Sequence, residues 1–199
     1  MKLMIKKSDL LYTPCSEYDN LPNGKFDAIN EIANRGNHVI HVNWLIANCK
    51  LAQTAKMLEY FKSLNPPKKD VSWLIENCKL AQTSEMLAYY KSLKPSAHDV
   101  RWLIANCKFT QTIRMLKYFK SLSPLAGDVS WLITNCKFTQ TSDMLVYYKS
   151  LKPSAGNVLF LMKYCGFTRT AEMLKYFKSL KPPKKDVSWL INNCRFANR

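Results

Sequence analysis

The sequence predicts an all-α fold, namely an α-solenoid of stacked two-helix repeats, on the basis of three observations. A segment of 29 residues beginning at Asp70 recurs without insertion at Asp99, Asp128, Asn157 and Asp186, and a fixed period of this length is typical of stacked arrays. Apolar residues within each copy follow helical spacing. Apolar residues make up 47% of the chain and only 5 residues are Gly, which is enough material for one continuous core.

The period divides the chain into a cap, five repeats and a half repeat. Residues 1–40 contain early turn signals and a degenerate repeat half in which Ala28, Ile29 and Ile32 keep the helical spacing, so this segment is predicted to cap the array. The half repeat at 186–199 is expected to close the stack at its other end. The five helical-hairpin repeats between them are predicted at 41–69, 70–98, 99–127, 128–156 and 157–185.

The first helix of each repeat is predicted to begin at the residue that opens the unit. In the second repeat Asp70 is a natural N-cap, and Val71, Trp73, Leu74 and Cys78 wrap much of the helix in apolar side chains. We therefore expect this helix to be heavily buried, with its tryptophan in the core. The capping residues of the other units are Asp99, Asp128, Asn157 and Asp186, with His41 as a poorer cap.

The second helix of each repeat is predicted from a threonine to a proline. Thr83 is a suitable N-cap, and Met86, Leu87 and Tyr90 follow it on one helical face. Pro95 cannot continue the helix and starts a short link. Two such short helices cannot bury these faces alone, so stacking of neighbouring repeats is required. The equivalent threonines are Thr54, Thr112, Thr141 and Thr170.

Six of the seven cysteines occupy one position of the repeat. Equivalent atoms of adjacent packed helices lie about 8–10 Å apart, whereas a disulfide requires Cα atoms within about 7 Å. No CxxC or HxxxH pair is present to hold a metal ion. We therefore expect small buried hydrophobes and a reducing, intracellular location, cytoplasmic or nuclear. The six residues are Cys49, Cys78, Cys107, Cys136, Cys165 and Cys194.

The net charge of +16 favours an acidic partner, which would be nucleic acid, an anionic membrane face or an acidic protein. A lysine-rich but otherwise ordinary surface is the alternative. No apolar run approaches the roughly 20 residues of a membrane span, so no span is expected. One lysine column could follow a polyanion, although the ends of helices favour lysine in any case. This column consists of Lys62, Lys91, Lys120, Lys149 and Lys178.

Positions that vary between repeats while remaining exposed are candidates for contact with a partner. Ile113, Val146 and Leu159 are apolar where the helical pattern predicts exposure. Charged side chains occupy other variable positions of the same predicted stripes. The candidate partner-binding set is Arg101, Ile113, Lys117, Val146, Leu159 and Lys163.

Catalytic chemistry has little support in the sequence. The three histidines, His38, His41 and His98, lie in loops or terminal positions without a repeated nucleophile beside them. No phosphate-binding glycine loop, GxSxG motif or paired-carboxylate motif is present. The recurring aromatic residues fit core packing better than base stacking. We therefore expect a protein that is not an enzyme and that has no cofactor, no metal and no small-molecule substrate.

The repeat resembles two known families. Asn77-Cys78-Lys79-Leu80 resembles the Asn-Gly-His-Leu turn of ankyrin repeats, and the Met86-to-Leu93 helix is similar to the second ankyrin helix. The Thr-Pro-Leu-His start of that family is absent. Leu74-Ile75-x-x-Cys78-Lys79 is, less closely, similar to pentatricopeptide repeats, which are about six residues longer.

The ankyrin-like resemblance implies a scaffold that binds another protein, because ankyrin-like arrays do so. The alternative is a basic solenoid that binds RNA or DNA through the lysine column. A third possibility is a capping or assembly subunit of a larger complex.

Overall fold

A computed structural model describes residues 1–10, 21–33 and 38–194. These residues are mostly helical with little strand, which confirms the predicted all-α class. The chain divides into two compact units, Met1–Pro95 and Ser96–Arg199. In both units a short 3-10 turn joins the two helices of a repeat. These turns are Lys50–Ala52, Lys79–Ala81, Lys108–Thr110, Lys137–Thr139 and Gly166–Thr168.

The first unit begins with a small sheet, in which β1 (Met4–Ile5) pairs antiparallel with β2 (Phe26–Asp27). A π-helical turn follows at Ile29–Ala33, where the sequence predicted a degenerate second helix. Ala28 and Ile32 of this segment are fully buried, as their spacing predicted. The α-helices of this unit are α1 (His38–Asn48), α2 (Ala55–Ser63), α3 (Lys68–Asn77) and α4 (Ser84–Ser92).

The second unit continues the same alternation of first and second helices over more repeats. Its first helices begin at Ala97, Ala126, Ala155 and Lys184, so that consecutive starts are 29 residues apart. Its α-helices are α5 (Ala97–Asn106), α6 (Ile113–Ser121), α7 (Ala126–Asn135), α8 (Ser142–Ser150), α9 (Ala155–Tyr164), α10 (Ala171–Ser179) and α11 (Lys184–Asn193).

Consecutive first helices pack side by side within each unit. In the first unit α3 packs on α1, and in the second unit α7 packs on α5, α9 on α7 and α11 on α9. The second helix of a repeat packs against the first helix of the same repeat, as α6 does on α5 and α8 on α7. The core between these helices includes apolar residues at three positions of the first helix and the cysteine that follows it. In the third repeat they are Val100, Leu103, Ile104 and Cys107.

The prediction that an aspartate opens the first helix was wrong by about one turn. α5 has Ser96 as its N-cap, and Asp99 is the third residue of the helix. The Asp99 carboxylate accepts a hydrogen bond from the Ser96 backbone N–H at 2.8 Å, while Ser96 Oγ accepts one from the Asp99 N–H at 3.2 Å. This reciprocal pair satisfies two free donors at the helix start. The carboxylate is therefore favoured inside the first turn, and the opening residue of each predicted unit lies within a helix. The N-caps elsewhere are Pro67, Leu125, Ser154 and Pro183, and α1 begins at His38, before His41.

The threonine caps of the second helices are confirmed in all five repeats. Thr83 Oγ1 accepts a hydrogen bond from the Met86 N–H at 3.1 Å, and the other four threonines make the equivalent bond. The second residue after each second helix has a positive φ, which the sequence did not reveal because none of these residues is Gly. A proline follows each of them. They are Asn65, Lys94, Ser123, Lys152 and Lys181, with φ between 50° and 52°.

The repeat cysteines are buried, as predicted. Three of them donate an S–H bond to a carbonyl of the preceding first helix: Cys78 to Ile46 at 3.7 Å, Cys136 to Ile104 at 3.9 Å and Cys165 to Ile133 at 3.8 Å. The cysteine column therefore links neighbouring repeats as well as filling the core. The seventh cysteine, Cys15, lies outside the described residues.

Candidate binding surface

The tryptophans of the first helices are not core residues, which corrects the prediction. Trp102 is 51% exposed and Trp189 is 39% exposed, and Trp73 is similarly open in the first unit. In α3, α5, α7 and α9 the buried positions face the packed neighbouring helices, so the fourth residue of the repeat points away from them. The asparagine one turn later shares this outer side, and its Nδ2 donates to the tryptophan carbonyl, as Asn106 does to Trp102 at 2.9 Å.

In the second unit these outer positions form a row of aromatic side chains, which we call the aromatic stripe. Phe160 replaces tryptophan in α9, and Tyr164 replaces the asparagine that follows. Phe160 is 41% exposed and Tyr164 is 55% exposed. The aromatic stripe consists of Trp102, Trp131, Phe160, Tyr164 and Trp189.

Ring contacts and cations connect the members of the aromatic stripe. The Trp102 and Trp131 rings are stacked, with centroids 5.7 Å apart and an interplanar angle of 22°. Phe160 and Tyr164 make a tilted contact at 4.8 Å. The Lys163 ammonium lies 5.2 Å from the Tyr164 ring and 5.0 Å from the Trp189 ring. The stripe is therefore an apolar ridge with positive charge within it.

Arg101 is mostly covered, although the sequence predicted an exposed position. Its guanidinium lies 4.7 Å from the Trp131 ring centroid and forms an ion pair with Asp128 at 3.1 Å. The side chain is 14% exposed. The reason is that, in the third to fifth repeats, the third position of the repeat faces the first helix of the next repeat. For the same reason Ser130 is buried and Leu159 is half-buried.

A cleft lies in the second unit where two first helices begin, at the ends of α7 and α9. Its volume is about 720 Å³, and it is bordered by Arg101, the exposed Leu125, Ser130, Trp131, Asn157 and Phe160. The link at 151–154 forms another side. The cleft therefore interrupts the aromatic stripe between Trp131 and Phe160.

The second helices carry the other half of the predicted partner-binding set. Ile113 is 62% exposed and Val146 is 67% exposed, and Lys117 is exposed as well. Ile113 and Lys117 border a cleft of about 270 Å³, and Val146 borders an equivalent cleft of about 260 Å³ one repeat later. These two clefts are lined by second helices and 3-10 turns, whereas Arg101, Leu159 and Lys163 lie on first helices. The predicted set is therefore divided between two surfaces.

The lysine column is engaged in contacts between neighbouring second helices. Lys62 contacts Glu59 at 2.6 Å and Glu85 at 2.7 Å. The bonds to these two carboxylates, Glu59 first, raise the pKa of Lys62, and the ammonium lowers the pKa of Glu85. Lys149 forms an ion pair with Glu172.

Two further contacts place column lysines over aromatic rings of the next repeat. Lys120 lies 4.7 Å from the Tyr147 ring, and Lys149 lies 5.5 Å from the Tyr176 ring. Of the remaining column residues, Lys91 is half-buried and Lys178 is exposed. Because several members hold neighbouring helices together, the column is not a free row of charges.

No group of three His, Cys, Asp or Glu side chains within the described ranges is arranged to hold a metal ion. His38 Nε2 lies 2.8 Å from the Tyr60 hydroxyl, and His98 Nδ1 lies 2.9 Å from the Arg101 guanidinium. These two histidines therefore make local contacts to tyrosine and arginine side chains.

Comparisons with protein-family models, with curated proteins and with solved structures found no match to this chain. The ankyrin-like and pentatricopeptide-like resemblances therefore stay predictions. Among the helices that the structure describes, none combines the length and the apolar character needed to cross a membrane.

Sequence reasoning missed both the aromatic stripe and the cleft. A signal for the stripe was present, because a polar asparagine follows each first-helix tryptophan at i+4 and the two residues must share one helical face. For the cleft the corresponding signal was the combination of Ser130, Asn157 and Phe160 at one boundary, where the preceding boundary has Arg101, Asp128 and Trp131.

Proposed function

We propose that this chain is a non-enzymatic scaffold, an α-solenoid, that binds another protein through the aromatic stripe. The observation that carries the proposal is the exposure of Trp102, Phe160, Tyr164 and Trp189 in one row. Monomeric proteins rarely leave large apolar patches open without a use for them. Tryptophan, tyrosine and arginine are also the residues that dominate binding energy at protein interfaces.

The stacked arrangement is supported by the packing of each first helix on the next at equal sequence intervals. Buried cysteines are compatible with a reducing compartment, so we place the protein inside the cell, in the cytoplasm or nucleus. We assign the contact to the stripe and not to Ile113, Lys117 and Val146, which lie on a separate surface of the second helices.

A protein partner is favoured over nucleic acid because of the ring contacts. Base stacking requires open aromatic faces, but Trp131 already has Trp102 and the Arg101 guanidinium against its ring. Phe160 and Tyr164 likewise contact each other. The lysine column is partly occupied by Glu59, Glu85 and Glu172. RNA or DNA binding through Lys62, Lys91, Lys120, Lys149 and Lys178 remains the alternative, supported by the net charge of +16.

The first test compares two surface variants in capture experiments from nuclease-treated lysate. Trp102→Ser/Trp189→Ser removes two apolar side chains of the stripe that lie outside the cleft, and Ile113→Ser/Val146→Ser removes two from the second helices as a matched control. We expect the first variant to lose captured proteins that the wild type and the control retain. Retention by the stripe variant, or loss only in the control, would overturn the assignment of the contact to the stripe.

The second test measures binding of mixed single-stranded RNA and duplex DNA across a salt series. If the positive charge is only surface charge and forms no nucleic-acid site, binding should be weak and should disappear by physiological salt. Submicromolar binding with a steep salt slope, reduced by Lys120→Glu or Lys149→Glu, would favour the nucleic-acid alternative instead.

A further inference from the structure

The cleft between α7 and α9 lies at a repeat boundary that lacks the arginine bridge found between α5 and α7. Between α5 and α7, Arg101 reaches across to Asp128 and lies against Trp131. At the next boundary the equivalent positions hold Ser130, Asn157 and Phe160. The long side chain and its carboxylate partner are therefore both absent, and the space that they would occupy is part of the 720 Å³ cleft.

The walls of this cleft are largely apolar. Trp131 and Phe160 stand on two sides, and Leu125 at the rim is 76% exposed. Ser130, at 3% exposure, already donates its hydroxyl to the Gly127 carbonyl at 3.0 Å. A pocket of several hundred Å³ with aromatic walls suits the apolar side chains of a bound segment.

The second unit, which contains the cleft, is strongly basic, and the charged side chains that line the cleft, Arg101, Lys152 and Asp128, sum to +1. Residues 96–199 contain 17 Lys and Arg and 5 Asp and Glu, a net charge of +12. Lys152 and Arg101 both border the cleft, and the carboxylate of Asp128 is already paired with Arg101. Asn157 replaces the acidic residue that the other first helices of this unit carry in their first turn, so the α9 terminus is capped by the neutral Ser154 hydroxyl and has no carboxylate to offset its positive dipole.

We propose that this cleft is the anchor point for an acidic segment of the partner protein, which inserts an aromatic or aliphatic side chain between Trp131 and Phe160. This inference rests on the proposed function. Charge complementarity selects the occupant: carboxylates beside the anchor would face Lys152 and the α9 terminus. A second copy of this chain is disfavoured, because two molecules of charge +16 repel each other.

The test uses fluorescence anisotropy with the full chain and short labelled peptides. The probe is a Glu/Ser peptide with a central Phe-Leu pair, and the reference peptide has Ser-Ser in place of that pair. We expect the Phe-Leu peptide to bind at least about tenfold more tightly than the reference, since burial of apolar side chains supplies that much. Equal binding of the two peptides would show that only charge is recognised and would overturn the anchor.

The decisive variant is Ser130→Arg/Asn157→Asp, which rebuilds the Arg101–Asp128 bridge one repeat later without changing the net charge. We expect it to reduce binding of the Phe-Leu peptide by about tenfold or more. The control is Ala55→Arg/Ala88→Glu, which adds the same charges at exposed second-helix positions of the other unit. Unchanged affinity in the folded bridge variant would overturn the inference.

A single change, Asn157→Asp, keeps the proposal testable if the double variant does not fold. Four other first helices already carry aspartate at this position, so the fold accommodates it. We expect weaker peptide binding at low salt and a smaller salt dependence, whereas unchanged binding would count against the inference. Failure here is separable from failure of the proposed function, because Trp102 lies outside the cleft. If capture depends on Trp102 but peptide binding is unchanged in the Ser130 and Asn157 variants, only the anchor proposal is overturned.

Discussion

Tyr148 carries a buried hydroxyl for which the described residues provide no hydrogen-bond partner. The side chain is fully buried in α8. The equivalent residues of the third and fifth repeats are Phe119 and Phe177, and both are also fully buried. Phenylalanine therefore fits this position of the repeat, and Tyr148→Phe removes the hydroxyl without requiring a new packing arrangement.

We expect Tyr148→Phe to stabilise the protein by about 1 kcal/mol. A buried polar group without a partner costs about 1–3 kcal/mol. The substitution removes this cost. It also leaves a void of the size of one oxygen atom, and this void lowers the gain in stability by less than about 1 kcal/mol. For a chain of this length, the net gain corresponds to an increase in melting temperature of about 2–4 °C.

The pH dependence gives an independent signature of the same hydroxyl. Burial is the main cause that raises the pKa of Tyr148 above its ordinary value of 10.0. Above pH 10 the unfolded chain therefore releases this proton while the folded chain retains it. The free energy of unfolding then falls by about 1.4 kcal/mol per pH unit because of this residue. Tyr148→Phe lacks the group, so its advantage over the wild type should grow as the pH rises above 10.

Urea titrations of both proteins at pH 8 and at several values above pH 10 measure these differences. Tyr147→Phe is the matched control, because the half-exposed Tyr147 hydroxyl donates to the Lys120 carbonyl at 3.5 Å. It should be neutral or slightly destabilising. The reasoning fails if Tyr148→Phe is no more stable than the wild type at pH 8, or if the two stability profiles remain parallel at alkaline pH.

Three further changes test other parts of the structure. Lys94→Gly should raise the free energy of unfolding by about 0.5–1 kcal/mol in urea titrations, since φ is 50° there and a left-handed conformation costs a side chain more than glycine; a loss of stability would contradict this conformation. Thr112→Ala should lower stability by about 1 kcal/mol, because Oγ1 accepts from the Met115 N–H at 3.2 Å; an unchanged midpoint would argue against the cap. Cys136 and Cys165 should react slowly with a thiol reagent at pH 8 and quickly in urea, as burial raises the pKa of both thiols. Mass spectrometry measures the two rates, and equal rates in buffer and in urea would contradict the burial of these thiols.

The sequence predicts much of the fold because each helix start and stop has a local cause. Thr83 caps α4 through its own side chain, so the residue type and the boundary coincide. Asp99 was misplaced because aspartate can satisfy free N–H groups either at the N-cap or from the third helical residue. The preceding Ser96 decides between these two options, and only the structure shows that both side chains act together.

The candidate surface was harder to predict because apolar character does not distinguish a core residue from an exposed one. Trp73 and Trp102 recur as regularly as the buried Leu74 and Leu103, and the repeat pattern alone gives no reason to separate them. The direction of each side chain depends on which neighbours the helix packs against. The same limitation applies to Arg101, whose charge suggested solvent but whose position faces the next first helix.

The link between Arg101 and the next first helix also suggests how the surface of such a chain could change during evolution. The bridge depends on one residue in one repeat and one in the following repeat, and neither belongs to the apolar core. Mutation at two codons could therefore open or close a cleft at a chosen repeat boundary without redesign of the packing beneath it. Duplication of whole repeats would add boundaries that can diverge independently, so new surface clefts could arise while the packing beneath them stays unchanged.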